Sequence, residues 1–283
     1  MSWLIAGGGE VGTMFAGLLR GSGATVRIVD PALGSGDITA VDVTLAGRLQ
    51  AADGVLLAVP EPVAMAAAKP LIAAMHPDAL LVDTLSVKSR YAEIVQAAGD
   101  IQAVGLNPMF APSLGMPGRP VAAVTYRDGP AVAHLLELLD AWGGRVVPVT
   151  ATAHDRLTAG IQALTHAAVL AFGYALDQLG LPIESLTALA SPPHAALLAL
   201  LARIAAGSPE VYWEVQAANP RAPAARAALV DAVRALADLI DRGNHTAFAA
   251  ELNRARRLLG GHLDHYRDLC ADLFTALPKG DLR

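Results

Sequence analysis

Six residues near the start constrain this chain most: Gly7-Gly8-Gly9-Glu10-Val11-Gly12. They follow an apolar run, Trp3 to Ala6, and lead into a helix-like segment, Val11 to Gly21. A G-x-G-x-x-G at a strand–helix junction has a specific use. Gly7 permits a tight turn, Gly9 lets the backbone approach a pyrophosphate, and Gly12 allows close helix–strand packing. The helix N-terminus, with the N–H groups of Glu10 and Val11, then offers partial positive charge to phosphates. A second run, Thr25 to Val29, ends in Asp30, 18 residues after Gly12. An acid there accepts hydrogen bonds from ribose hydroxyls and repels a 2′-phosphate, so NAD is expected rather than NADP.

The rest of the first 150 residues repeats the alternation. Gly54 to Val59, Ala79 to Val82, Ala103 to Leu106, Val121 to Thr125 and Arg145 to Val149 read as strands. Helix-like Pro62 to Met75, Arg90 to Ala98 and Gly129 to Trp142 lie between them. This order implies right-handed crossovers and a doubly wound, mainly parallel sheet of the Rossmann type. From about Thr152 the pattern changes. Asp155 to Leu179 reads as a long helix stopped by Gly180-Leu181-Pro182, and Ser191-Pro192 and Ser208-Pro209 read as helix starts. Ala222 to Arg242 and His245 to Leu277 continue the helical period. Two domains are expected, α/β over 1–150 and all-helical over 151–283.

With 54% hydrophobic and 17% charged residues, a large core is available and general disorder is excluded. A formal charge of −5 argues against nucleic acid or an anionic membrane as partner. One cysteine, Cys270, excludes a disulfide framework and a cysteine-rich metal site, and no metal is expected. No signal peptide is evident, and the apolar runs are interrupted by Glu61, Lys69, His166 and Asp177, so a cytoplasmic protein is expected.

In such a sheet, ligands bind outside the carboxyl ends of the strands. Val59-Pro60 follows one strand and flanks the cofactor. Asp83-Thr84-Leu85-Ser86-Val87-Lys88 follows the next, placing a hydroxyl and a cation near the nicotinamide. Gly105-Leu106-Asn107-Pro108-Met109-Phe110 follows the one after, placing an amide there. Singly, each reads as a loop cap; together, beside a dinucleotide fingerprint, they read as a site.

Over nearly its whole length the chain resembles the prephenate and arogenate dehydrogenase family. The matching stretches, in order, are LIAGGGEVGTMFAGLL, VDTLSVK, GLNPMFAP, AWGGRVVPVTATAHD, IQALTHAAVLAFGYAL and LASPPHAALLALLARI. The resemblance implies an NAD(P) domain, a helical dimerisation domain, and oxidation of a cyclohexadienyl acid at ring C4 with loss of the ring carboxylate as CO2. It implies a catalytic place for Ser86 near the C4 substituent and the nicotinamide. It also implies that Gln162 and Tyr174 line the substrate pocket. Twelve residues apart, at ~3.6 residues per turn, they can share one helix face. His154 and Asp155 match a family His-Asp pair.

Two departures bear on the substrate. Where the family has Gly-x-His-Pro, with the histidine as presumed base, this chain has Asn107; where the family has a carboxylate-binding arginine, it has Thr165. An amide cannot act as a general base. If C4 carries an amine, the nitrogen lone pair supports hydride departure and a base is less necessary. Asn107 Oδ1 then accepts an N–H bond and orients the amine, with Ser86 as the other partner. The leading expectation is NAD-dependent conversion of 4-amino-4-deoxyprephenate to 4-aminophenylpyruvate, and Lys88, Arg156 or backbone amides are left to hold a carboxylate. The alternatives are prephenate or arogenate dehydrogenation and a catalytically silent NAD-binding regulator. A β-hydroxyacid dehydrogenase is set aside because Ile161 to Gln178 contains no lysine. The apolar stripe at Leu197, Leu198, Leu200, Leu201 and Ile204 is a candidate face for a homodimer.

Overall fold

In the computed structural model, which describes residues 1–277, seven strands form one sheet. They are β1 (Ser2–Ala6), β2 (Thr25–Val29), β3 (Gly54–Leu57), β4 (Leu80–Asp83), β5 (Gln102–Pro108), β6 (Pro120–Arg127) and β7 (Arg145–Pro148), in the order β2-β1-β3-β4-β5-β6-β7. The chain progresses one way from β1 to β2 and the other way from β3 onward. The crevice at that reversal lies at the carboxyl ends of β1 and β3, directly beside the glycine turn. All neighbours are parallel except β5 and β6. The connection between those two holds only the 3-10 turn Pro112–Leu114. A parallel return needs a crossover of about a dozen residues or more, usually a helix, so β6 comes back antiparallel.

Helices cover both faces. Along β1, Leu4 and Ala6 enter the core built with α2 (Val43–Gln50), α3 (Glu61–Ala74) and α4 (Ser89–Ala98). Trp3 and Ile5 enter the core on the other face, with α1 (Glu10–Gly21) and α5 (Pro130–Ala141). Alternate side chains therefore serve opposite cores, which is why these strands read as continuous apolar runs. The helix α2 starts at Asp42, whose carboxylate accepts from Leu45 N at 2.7 Å.

The chain divides into two compact units, Met1–Thr158 with Trp213–Pro220, and Ala159–Tyr212 with residues 221 onward. The first junction thus falls at Thr158 rather than at 150, and the segment Trp213–Pro220 returns to the sheet unit. Residues 278–283 of the expected helical domain lie outside the described residues.

The expected long helix is a continuous run of three pieces: α6 (Ala151–Thr158), a π turn (Ala159–Leu164) and α7 (Thr165–Leu179). It ends at Gly180, in the left-handed conformation that glycine tolerates. The expectation that no apolar run reaches bilayer-spanning length is corrected, because the 29-residue helix Ala151–Leu179 is long and apolar enough to do so. Isolated His166 and Asp177 do not offset the aliphatic residues around them. The remaining helices are α8 (Ile183–Ala188), α9 (Pro192–Ala205), α10 (Pro209–Ala217), α11 (Ala222–Asp241), α12 (His245–Leu259) and α13 (Leu263–Ala276). The helical period from His245 to Leu277 is realised as two helices. Gly260, at φ 52°, breaks it into α12 and α13. Among the described residues no strand follows β7.

Candidate active site

The glycine turn has the shape a pyrophosphate requires. At Gly7 φ is +99°, and a Cβ there would overlap the carbonyl of Ala58. A Cβ on Gly12 would overlap the carbonyl of Gly7, so the turn and the start of α1 close on each other only without side chains. Gly9 differs: nothing lies within 4 Å of its Cβ position, so it faces open space. It is the N-cap of α1, whose first N–H groups, on Glu10, Val11 and Gly12, have no partner within the helix. Val59 borders the turn, its Cγ1 lying 3.2 Å from the Cβ position of Gly7, and Pro60 caps α3.

Asp30 stands at the carboxyl end of β2. Its Oδ2 accepts from Gly8 N at 2.6 Å and its Oδ1 from Ala32 N at 2.8 Å. The carboxylate is thereby fixed beside the glycine turn, and each oxygen keeps a lone pair for a ribose hydroxyl. Open Gly9, unpaired helix N–H groups and a fixed acid together fit a dinucleotide without a 2′-phosphate.

Ser86 lies half-buried between β4 and α4, on a loop pinned at both ends. Upstream, Thr84 Oγ1 donates to Leu57 O at 3.0 Å and Leu85 N donates to Asp83 Oδ1 at 3.0 Å. Downstream, the N–H groups of Lys88 and Ser89 donate to Asp155 at 2.8 and 3.0 Å. The Ser86 hydroxyl is left without a hydrogen-bond partner among the described residues. Lys88 does not do what the sequence reading assigned it. Its ammonium is fully buried, donating to Asp83 Oδ1 at 2.5 Å and to Leu106 O at 2.9 Å. Burial lowers its pKa, with Asp83 opposing the shift. A cation spent on a buried carboxylate and a strand carbonyl cannot also bind substrate, so Lys88 is a structural residue that ties β4 to β5 beside Asn107. Gly105 contributes to the same cluster, since its missing side chain leaves space where the Tyr126 hydroxyl and Asp83 Oδ2 converge.

Asn107, the penultimate residue of β5, is only 5% exposed. Its Nδ2 is 3.0 Å from His154 Nε2, and His154 Nδ1 is 2.9 Å from Asp155 Oδ1. Burial alone raises the Asp155 pKa, but hydrogen bonds from His154, Ser89 and Lys88 outweigh it and hold the carboxyl below its ordinary value. On the far side, Asn219 Nδ2 donates to Asp155 O at 2.8 Å and to Thr158 Oγ1 at 3.1 Å. Asn219 comes from the returning segment, about 60 residues away in sequence, a contact no local pattern signals.

The other site residues belong to the helical unit. Gln162 is half-buried within the π turn, Thr165 is exposed at the start of α7, and Tyr174 is 65% exposed farther along it. Twelve residues of α-helix are roughly 3.3 turns, which separates two side chains by about a third of a turn. The π turn winds less per residue and so reduces that separation. Next to Thr165, His166 packs edge-on against Tyr212 with ring centroids 5.0 Å apart. Burial first, and then the charge of Arg203, lower the His166 pKa. Arg203 is exposed and makes no ion pair among the described residues. It is the penultimate residue of LASPPHAALLALLARI.

The sequence is 52% identical over 97% of its length to 4-amino-4-deoxyprephenate dehydrogenase of Streptomyces pristinaespiralis, and covers 96% of that protein. This chain belongs to the prephenate dehydrogenase family. Residues 150–254 match the family described as prephenate dehydrogenase, dimerization domain. Among solved structures, Synechocystis arogenate dehydrogenase superposes with a TM-score of 0.67 at 24% identity, over 94% of this chain and 100% of that one. Prephenate dehydrogenase of A. aeolicus, in complex with hydroxyphenyl propionate and NAD+, gives 0.66 at 20% identity, over 92% and 98%. These two likenesses are of fold. For a prephenate dehydrogenase family member, the unusual feature is the one already noted: an amide, Asn107, where the resemblance calls for a histidine.

Proposed function

We propose that this dehydrogenase converts 4-amino-4-deoxyprephenate to 4-aminophenylpyruvate and CO2 with reduction of NAD+ to NADH. The observation that carries the reading is Asn107, a buried amide near the carboxyl end of β5, in a chain 52% identical to a relative named for that substrate. Bound NAD+ supplies the hydride acceptor. The backbone of Gly7, Gly9, Glu10, Val11 and Gly12 holds its pyrophosphate, Asp30 its ribose, and Val59, Pro60 and Ser86 border the remainder.

Asn107 Oδ1 accepts an N–H of the C4 amine, and the Ser86 hydroxyl holds the same group from the adjacent loop. The amine lone pair stays free to support departure of hydride from C4 while the C1–carboxylate bond breaks and its electron pair enters the ring. The products are aromatic, so the step runs one way. No proton need be taken from the amine before hydride leaves, which is why an amide suffices where a hydroxyl substrate requires a base. The protein's part is orientation and a dry polar environment.

Gln162, Thr165 and Tyr174 provide substrate contacts from the helical unit. Lys88 is withdrawn into the core, which leaves Arg156 or backbone amides to hold a substrate carboxylate. The exposed apolar residues of α7 and α11 are covered by a second copy of the chain, giving a homodimer that works in the cytoplasm on a small-molecule substrate. The test is NADH absorbance with purified protein, NAD+ and either 4-amino-4-deoxyprephenate or prephenate. Strong turnover of the amine with little of the hydroxyl compound is expected. Preference for prephenate would sink the amine reading.

A further inference from the structure

The chain Asn107–His154–Asp155 has a direction, and that direction decides what Asn107 can offer a substrate. A carboxylate only accepts hydrogen bonds, so His154 Nδ1, 2.9 Å from Asp155 Oδ1, carries a proton. In the neutral ring Nε2 is then an acceptor, and the group 3.0 Å away from it must be the donor Nδ2 of Asn107. That leaves Asn107 Oδ1 unopposed by the histidine. Asp155 cannot turn to relax the arrangement, because its two oxygens also accept from Lys88 N and Ser89 N and its own carbonyl accepts from Asn219. His154 is just as fixed: it is 1% exposed, and its backbone N–H donates to Thr150 O at 2.8 Å at the start of α6.

We propose that His154 and Asp155 are positioning residues that lock the side-chain amide of Asn107 with its oxygen available to the substrate amine, and so set the enzyme's preference for an amino group at C4. This rests on the aminodeoxyprephenate reading above. An amide oxygen binds an amine through its N–H and leaves the nitrogen lone pair free to push hydride out of C4. The reversed amide would present an N–H, which binds the lone pair and opposes that push. Either orientation would hold a C4 hydroxyl or amine in place, so the lock matters for the rate of the chemical step more than for binding. The same hydrogen bond occupies His154 Nε2, so the histidine is not free to serve as the base that a hydroxyl substrate would need.

Two measurements test this, the first without turnover. In wild-type protein labelled with 15N-histidine, His154 is expected to show a protonated Nδ1 and a bare Nε2; a protonated Nε2 would overturn the proposal. The second compares His154→Leu with His154→Gln. Glutamine can accept from Asn107 through Oε1 and donate to Asp155 through its amide nitrogen, whereas leucine can do neither. His154→Leu should lose roughly ten- to a hundredfold in kcat on 4-amino-4-deoxyprephenate, the scale of a misoriented reacting group, with KM and NAD+ affinity little changed. His154→Gln should recover most of that loss. Unchanged kcat in the leucine variant, or equal losses in both, would overturn the proposal. The expected tautomer in a wild-type protein that turns over only prephenate would instead overturn the substrate reading and leave the amide's orientation standing.

Discussion

The two units solve the problem of holding a side chain in opposite ways. In the sheet unit the candidate residues are fixed by partners from several elements. Asn107 is tied to α6 through His154, Ser86 rides a loop fastened to β3, β4 and α6, and Lys88 is enclosed with Asp83. In the helical unit they stand on open helix surface: Thr165 and Tyr174 are exposed, and α11 keeps one buried residue, Ala222, among its twenty. Its stripe of Val230, Val233, Leu236 and Ile240 is 46 to 60% exposed at spacings of three and four. A unit that buries its own polar network is organised by one chain; a helical surface this apolar is organised by what covers it. The difference is therefore testable by asking whether a substitution's effect depends on protein concentration.

Lys88→Met should have the largest effect, because it leaves Asp83 buried without its cation, at a cost of about 3–5 kcal/mol. Urea unfolding at two protein concentrations should show the same loss at both. A loss that disappears on concentrating the protein would break the contrast between the units. Asn107→Ala removes the acceptor rather than a support. It should lower kcat/KM on the amine by about a hundredfold, the usual effect of deleting one group that stabilises the transition state. The lost bond to buried His154 Nε2 should lower the melting temperature by a few degrees, less than Lys88→Met does, and steady-state kinetics beside a thermal melt separate the two quantities.

On the other unit, Val233→Glu puts a charge into the proposed contact between copies. Sedimentation should show a shift from dimer to monomer, while NAD+ binding by the sheet unit is retained. A monomeric wild-type protein, or a variant that still dimerises, would place the interface elsewhere. Gly9→Ala should act through the cofactor alone, because its Cβ meets nothing in the protein. An approximately tenfold weaker NADH affinity with an unchanged melt is expected, since the methyl intrudes where the backbone approaches the pyrophosphate.

The smallest effect concerns Glu61 and Glu214. Burial raises both pKa values; the charge of Glu214 raises that of Glu61 further while Arg90 opposes it, and Glu214 accepts from Glu61 N at 3.1 Å, which opposes its own rise. A carboxyl whose pKa is raised by folding destabilises the protein above that raised value. The penalty fades as pH falls through it and is gone below the unfolded value. Glu214→Gln keeps an acceptor for the N–H and removes one charge. It should raise the melting temperature by about 1 °C at neutral pH, with the gain vanishing in acid. A gain that persists below the ordinary carboxylate range would assign the effect to packing instead.

Much of this was legible in the residues. The glycine spacing, Asp30 and the alternation of apolar runs specify the cofactor edge because each depends on local backbone geometry and strand period. The long helix and its glycine stop are local in the same sense, and so is the substitution of an amide at 107, which already points to an amine. The antiparallel return of β6 follows from a connection whose Pro112, Gly115, Pro117 and Gly118 leave no room for a crossover helix, and that could have been read from the sequence.

What tertiary structure alone decided are the partners. Lys88 follows Ser86 by two residues and looks like a ligand-binding cation, yet its ammonium is fully buried against Asp83 and Leu106. Desolvating a charge is tolerable only beside an opposite one, and nothing in the sequence says which way a flexible side chain turns. The orientation of the Asn107 amide depends on His154, 47 residues on, and on a carboxylate that receives two N–H groups from α4 and the loop before it. Sequence determines which donors and acceptors exist; only their convergence in a desolvated interior, where every one must be matched, determines which way each of them points.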